Sequence, residues 1–354
     1  MRDLPRSAVV VGGGVVGSAV ALALGRRGVR VVLVEAEDEL ALGASGTNSG
    51  ILHTGFDSVP GELETRLILR AAQLRDEVLD ALGVPVLRCG ALMPAAPVEV
   101  AGTAGRNGVQ VRARPDGALE IPGEAVTDPV RFTLALAAAS GAEVRTGFRV
   151  RHIGRGGFVL SDRDEAVVGD VIVNCAGLYA DEVARAAGDD SFAIFPRKGE
   201  FFVFDTRVER ILLPVPTPRT KGVLVFPTVD GHTVAGPTAV DQEDKTDWSV
   251  RPEAREEVLA GAIALHPPLE GLEPIASYAG LRPAGRGVNY VIRHSRVRGD
   301  LVHVAAIRST GLTASLGIAE HVADLLVPGR PDAPLVAGEA PEVVGPWWQR
   351  RVAA

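Results

Sequence analysis

Three glycines and one glutamate near the start of the chain have the spacing of a dinucleotide site: Gly12-x-Gly14-x-x-Gly17, with Glu35 following 18 positions later. The first glycine permits a tight turn, the second lets a pyrophosphate approach the backbone, and the third lets a helix pack closely on its strand. A carboxylate placed like Glu35 accepts hydrogen bonds from ribose hydroxyls, which favours FAD or NAD over NADP. Soon afterwards comes "SGTNSGILHTG", residues 45–55, with four hydroxyl residues, one Asn and one His among three Gly. Its first part reads in two ways. Residues 45–50 are either a solvated linker or a loop whose small residues bring N–H groups up to pyrophosphate and ribityl oxygens. Ribityl oxygens belong to FAD and not to NAD.

Further along, single residues have suitable chemistry but ambiguous settings. His53 closes the polar stretch, and an imidazole is suited to removing a hydroxyl proton near neutral pH, although a His in a Gly-rich loop is also a common structural element. Arg282, in "YAGLRPAG", has a planar five-donor fork that fits a carboxylate or phosphate; as an isolated Arg it reads equally as a surface charge. Lys221, in "PRTKGVLVFPT", and Arg308, in "IRSTG", would add positive charge, or be a solvated Lys and an Arg paired with a carboxylate. His232, in "VDGHTVAGP", reads as a turn residue. Cys89 and Cys175 are the only cysteines and form no C-x-x-C. A disulfide framework, structural zinc and an iron–sulfur cluster are not expected, nor is any metal.

The elements needed to position these residues are legible in outline. "SAVVVGGGVVGSAVALALGRRGVRVVLVEAE" reads as a strand, a Gly turn, a helix over about 15–27 and a second strand ending at Glu35, a βαβ unit. A helix is predicted over 62–82, and only short strands over 85–121. "TDPVRFTLALAAASGAEVRTGFRVRHIGR" predicts an N-cap at Thr127 or Asp128, Pro129 in the first turn, and then a strand through Val150. "AVVGDVIVNCAG" adds an apolar strand leading into a helix. Residues 192–290 read as antiparallel strands with one helix over about 252–265, and "LVHVAAIRSTGLTASLGIAEHVADLL" as strand, turn and helix.

The expected fold class is therefore α/β, α+β overall: a Rossmann-like FAD-binding domain, discontinuous in sequence, with a mainly antiparallel substrate domain. The first takes residues 1–84, 126–191 and 291–330, the second 85–125 and 192–290, and 331–354 form a tail. The chain has 354 residues, 46% hydrophobic and 23% charged, which suits two joined domains. A formal charge of −7 argues against a nucleic-acid surface. No signal peptide or membrane span is read, so the expected site is the cytoplasm. "GPWWQRR" near the end admits peripheral attachment at the inner face of the membrane, or a tail packed on the protein.

Together "GGGVVG…VVLVE", "ASGTNSGILHTG", "VNCAG", "YAGLRPA" and "IRSTGLTAS" resemble the FAD-dependent oxidoreductases of the D-amino-acid-oxidase superfamily, over about residues 6–327. Within it, "TNSGILHTGFD", "PTPRTKGVLVFPTVDGHTVAGPTA" and "IRSTGLTAS" are most similar to the glycerol-3-phosphate dehydrogenase and oxidase branch, with L-2-hydroxyglutarate oxidases close by. The resemblance implies noncovalent FAD, with contacts at Gly12, Gly14, Gly17 and Glu35, at Ser45, Gly46, Thr47, Asn48, Ser49 and Gly50, and at Val150, Ala176 and Gly177. It also places Gly311, Leu312 and Thr313 near the flavin pyrimidine, where helix N-terminal N–H groups would stabilise negative charge. It implies His53 as catalytic base and Arg282, with Lys221 and Arg308, around a small anionic substrate.

The implied reaction is oxidation of a small anionic secondary alcohol to a ketone by hydride transfer to flavin. Glycerol 3-phosphate comes first, a 2-hydroxy acid such as L-2-hydroxyglutarate second, and an amine or amino acid third. A nicotinamide dehydrogenase is a further alternative, and an FAD-binding partner subunit is the non-enzymatic one. Larger members of the branch carry an added C-terminal domain, whereas about 27 residues follow Val327 here, so no built-in electron relay is expected. The electron acceptor stays open between oxygen, a quinone and an electron-transfer protein.

Overall fold

The computed structural model describes residues 4–215 and 222–350. Lys221 lies outside them. The β-branched runs of the first unit, apolar on both faces, become central strands of a six-stranded sheet. Its order is Val291–His294, Leu301–Ala305, Val171–Asn174, Ser7–Val11, Arg30–Val34, Glu143–Arg145. The last five run parallel, and Val291–His294 is an antiparallel edge. On this sheet the helices Val15–Arg26, Pro129–Ala139 and Gly311–Leu326 pack together, and Leu63–Ala81 packs on the last of them.

The second large sheet collects strands from two stretches of sequence. Ala91–Met93, Arg112–Ala113 and Leu119–Ile121 join the strands between Ile194–Phe204 and Ala276–Gly285. All pairings are antiparallel except Ile211–Leu212 with Ala91–Met93. Helix Ala254–Leu265 covers one face through Phe202, Phe204, Val225 and Ala235. A smaller sheet bridges the halves: Ile51–Leu52 and Val86–Leu87 both pair with Ala125–Thr127. Among the described residues, no helix is long and apolar enough to cross a membrane.

Two local expectations are corrected and a third is narrowed. Residues 98–106, expected to hold only strands, form a helix that follows Pro97, with Val100, Ala101 and Ala104 turned to the core. Two glycines, Gly102 and Gly105, weaken its intrinsic propensity, so tertiary packing decides it. The strand predicted through Val150 ends at Arg145, and Val150–Ile153 begins a separate three-stranded sheet. Of the two N-cap candidates Asp128 caps, accepting from the Val130 and Arg131 N–H at 2.9 Å each, while Thr127 ends a strand. Finally, the Trp347–Trp348 pair is buried in the main core, 0% and 3% exposed.

Candidate functional site

Two cavities of about 510 and 450 Å³ meet at Ala44, Asn48 and Arg308. The first is built by the Gly-rich unit. Gly12 sits at φ 110°, and a Cβ there would run into the Cys175 carbonyl, while one at Gly17 would strike the Gly12 carbonyl. A Cβ at Gly14 would lie 3.0 Å from the Ser45 hydroxyl, which itself accepts from the Val15 N–H at 2.9 Å. The N-terminus of helix Val15–Arg26 lines this cavity through Gly14, Val15 and Val16, which sets the positive end of the helix there. Glu35 accepts from the Gly13 and Glu37 N–H at 2.6 and 2.9 Å, yet burial outweighs these bonds and raises its carboxyl above the usual range. Val150, Ala176, Gly177, Gly311 and Leu312 complete this wall, with Tyr179 and Trp248.

The polar loop lies at the junction. Ser45 faces the first cavity, Thr47 and Ser49 the second, and Asn48 both. Gly46 and Gly50 shape the loop instead: a Cβ at either would meet the carbonyl of Ala41 or of Thr127, and Gly50 has φ 77°. Thr313 also departs from a simple wall position, since its hydroxyl donates to the Ile51 carbonyl at 3.2 Å and accepts from the His53 N–H at 3.1 Å. The Thr47 hydroxyl is buried without a hydrogen-bond partner among the described residues. The glycine turn and helix start line the first cavity and the orphan Thr47 hydroxyl the second, and because the two meet at Asn48 a dinucleotide with extra polyol oxygens could span both. FAD fits these residues.

The second cavity holds His53. Strand register explains how: Ile51 pairs with Val126 and Leu52 with Ala125, so the next residues out, His53 and Glu124, face each other. Their side chains meet at 2.8 Å, Nδ1 to Oε2. Glu124 is fully buried, and its other oxygen accepts from the Thr54 N–H at 2.6 Å and hydroxyl at 2.9 Å. Burial opposes its ionisation, but the charge and hydrogen bond of His53 and the bonds from Thr54 outweigh it and hold the carboxyl below the usual range. An ionised Glu124 can only accept, so the proton between them sits on Nδ1 and leaves Nε2 for the cavity. Buried Arg75 secures both segments, donating to the carbonyls of Leu52, His53 and Gly123.

Three arginines line the same cavity and differ in what holds them. Arg197 is paired with Asp241 and Arg308 with Glu64, at 2.6 Å for the latter. Glu64 also accepts from Asn289 and Thr310. Arg282 has no ion pair among the described residues: one guanidinium N–H donates to the Thr238 carbonyl at 2.7 Å. Burial, then the charge of Arg197 directly across the strand pair, pulls it down to about 10, still protonated at neutral pH. Phe201, Leu224 and Phe226 supply apolar walls. His232 is a turn residue, paired with Asp230 at 2.5 Å. Among the described residues no group of His, Cys, Asp or Glu could hold a metal ion. Glu124, Arg75, Arg197 and Glu64 were not singled out from the sequence. Only strand pairing and helix packing bring them to the site, and no local spacing marks them.

Residues 7–325 match the DAO family, FAD dependent oxidoreductase, and the chain belongs to that family. It is an FAD-dependent oxidoreductase. Among its relatives is a glycerol 3-phosphate dehydrogenase of Caloramator mitchellensis, 28% identical over 90% of this chain and 73% of that protein. A glycerol 3-phosphate oxidase of Mycoplasma pneumoniae is 29% identical over 91% of this chain and 94% of its own length. The solved structure of dithionite-reduced L-alpha-glycerophosphate oxidase from that organism, with FAD bound, superposes with a TM-score of 0.86. It is 26% identical, covering 97% of this chain and all of that one.

Proposed function

We propose that the protein oxidises glycerol 3-phosphate at its secondary alcohol, giving the corresponding ketone. One observation carries this reading: a partly buried guanidinium without a carboxylate partner among the described residues and a His with one ring nitrogen free line the same cavity, beside the FAD loop. Bound FAD supplies the two-electron acceptor that takes the substrate carbon's hydride. The chain's own groups do the rest. Arg282 grips the anionic end, and Arg197 opposite it adds the second positive charge that a dianion such as phosphate uses. Nε2 of His53 takes the hydroxyl proton, and the carboxylate of Glu124 offsets the charge that then develops on the imidazole. Phe201, Leu224 and Phe226 exclude water from the reacting carbon.

We assign Arg308 to the junction between the cavities, held by Glu64. Residues 45–50, Val150, Ala176, Gly177, Gly311 and Leu312 are assigned to FAD, with Gly46, Gly50 and Thr313 acting by shaping the wall. The domain division follows the two large sheets in this reading. The acceptor that would reoxidise bound FAD is oxygen, a quinone or an electron-transfer protein. An anaerobic screen of flavin bleaching against glycerol 3-phosphate, L-2-hydroxyglutarate and small amino acids tests the assignment. Bleaching within seconds by glycerol 3-phosphate is expected. Bleaching by an amino acid alone, or by nothing in the screen, overturns it.

A further inference from the structure

The Trp-Trp pair is left without a role by the reaction, yet its position is specific. After helix Gly311–Leu326 the chain turns back along the nucleotide-binding half: the Ala333 N–H donates to the Arg26 carbonyl at 2.8 Å, and Arg131 donates to the Val343 carbonyl. This path delivers a single turn, Trp347–Gln349, to the seam between the cofactor loop and the second sheet.

Each side of the seam is held. On the loop side, the Trp347 indole N–H donates to the Asn48 carbonyl at 3.0 Å, and Arg350 pairs with Glu39. Asn48 is the residue that lines both cavities, and its neighbour Thr47 carries the orphan hydroxyl. On the sheet side, the Trp348 N–H donates to Asp230 at 3.3 Å, and its ring meets the His232 ring edge-on, with centroids 5.2 Å apart. The same turn packs on strand Ala276–Gly285, whose Tyr278 stacks on Phe201 at 4.8 Å, and Phe201 is a wall of the substrate cavity.

We propose that the turn carrying Trp347, Trp348 and Arg350 is a clamp that fixes the cofactor loop against the second sheet, so that FAD affinity depends on a segment that does not touch FAD. Loop residues 45–50 offer few apolar contacts, so without the clamp they lose an anchor at the point where they must present N–H and hydroxyl groups. FAD binding then has to order them. By linkage, whatever factor the clamp adds to FAD affinity, FAD adds to docking of the clamp. The inference is independent of which alcohol is oxidised.

The test uses the full chain, Trp347→Phe, and a chain ending after Gly345. FAD affinity is read by recovery of flavin fluorescence quenching in apoprotein, and thermal midpoints are taken with and without FAD. Trp347→Phe removes one hydrogen bond and some ring area, so FAD should bind about three- to tenfold more weakly. Deletion of the turn should weaken it by roughly a hundredfold or more, since two hydrogen bonds, an ion pair and two buried indoles are lost together. In each, the rise in midpoint that FAD produces should shrink. FAD should also slow carboxypeptidase trimming of the wild-type tail. If the shortened chain fails to fold, Trp347→Phe alone decides. An unchanged FAD affinity and an unchanged FAD-induced rise, with only the apoprotein midpoint lowered, would make the turn a structural closure and overturn the proposal.

Discussion

Among the described residues two histidine–carboxylate pairs join partners far apart in the sequence, His53–Glu124 and His303–Asp189, and of these two only the first opens onto a cavity. His53 meets Glu124 at 2.8 Å, with the His53 side chain 15% exposed and lining the second cavity. His303 meets Asp189 at 3.2 Å with both residues sealed, and the second ring nitrogen is taken by Asn174. Asp189 accepts further bonds from Ser295 and from the Arg296 and Ser191 N–H, and Phe192 stands edge-on to the His303 ring. The chemical groups are the same. What separates them is whether a ring nitrogen is left over: His53 keeps Nε2, whereas His303 is saturated and can only hold the fold together.

The largest effect that would sharpen this contrast is on flavin reduction. His53→Ala should keep FAD and slow reduction by about a hundred- to ten-thousandfold in anaerobic stopped flow, the range for losing a general base. The reduction rate of FAD-loaded His303→Leu should stay near wild type, with its loss appearing in denaturant midpoint. Equal slowing in both would erase the distinction.

The arginines repeat the lesson at a smaller scale. Arg75 is buried among three carbonyls, whereas Arg282 spends one N–H on a carbonyl and faces the cavity. Arg282→Ala should cut kcat/KM for the phosphate substrate by about ten- to a hundredfold with FAD content intact, the cost of a charge-assisted bond. Arg75→Met should instead lower stability. Steady-state kinetics beside chemical denaturation separates the two, and an unaffected kcat/KM in folded Arg282→Ala removes it from the site.

Glu124→Gln should lower the reduction rate about tenfold with FAD content intact, because an amide no longer offsets the charge that develops on the imidazole. An unchanged reduction rate in FAD-loaded Glu124→Gln would make Glu124 a merely structural tie.

The smallest effect belongs to the sealed pair. Burial, against the pull of Asp189, holds folded His303 below its ordinary range. The unfolded chain therefore binds a proton that the folded one refuses, and stability should fall as pH drops through about 6.5. Asp189 is also depressed when folded, despite burial, by its hydrogen bonds to Ser191 and Ser295. Its stabilisation is present above about pH 4 and fades further into acid. His303→Leu should remove the first loss and leave the second. Thermal midpoints from pH 8 to 4 in both proteins check this.

The Gly12–Gly17 turn could be recognised without any structure, because it follows from backbone conformation and residue size within a short span, whereas loop 45–50 read in two ways from its residues alone. Val171–Asn174 and helix Gly311–Leu326 were legible for the same reason, as apolar runs with small residues at their ends. Helix Val98–Arg106 was not, since its glycines argue against helix and only packing of Val100 and Ala104 favours it. Nor did the sequence show which His keeps a free nitrogen. His53 and His303 have comparable side chains, and their carboxylates stand 71 and 114 positions away. Strand register sets His53 against Glu124, and the seam between loop 45–50 and the second sheet receives Trp347. Local propensity and spacing determine turns, caps and strands, because those energies act within a few residues. Which polar groups are satisfied and which are left facing a cavity is decided only when distant segments pack, because burial and hydrogen-bond saturation belong to the assembled interior.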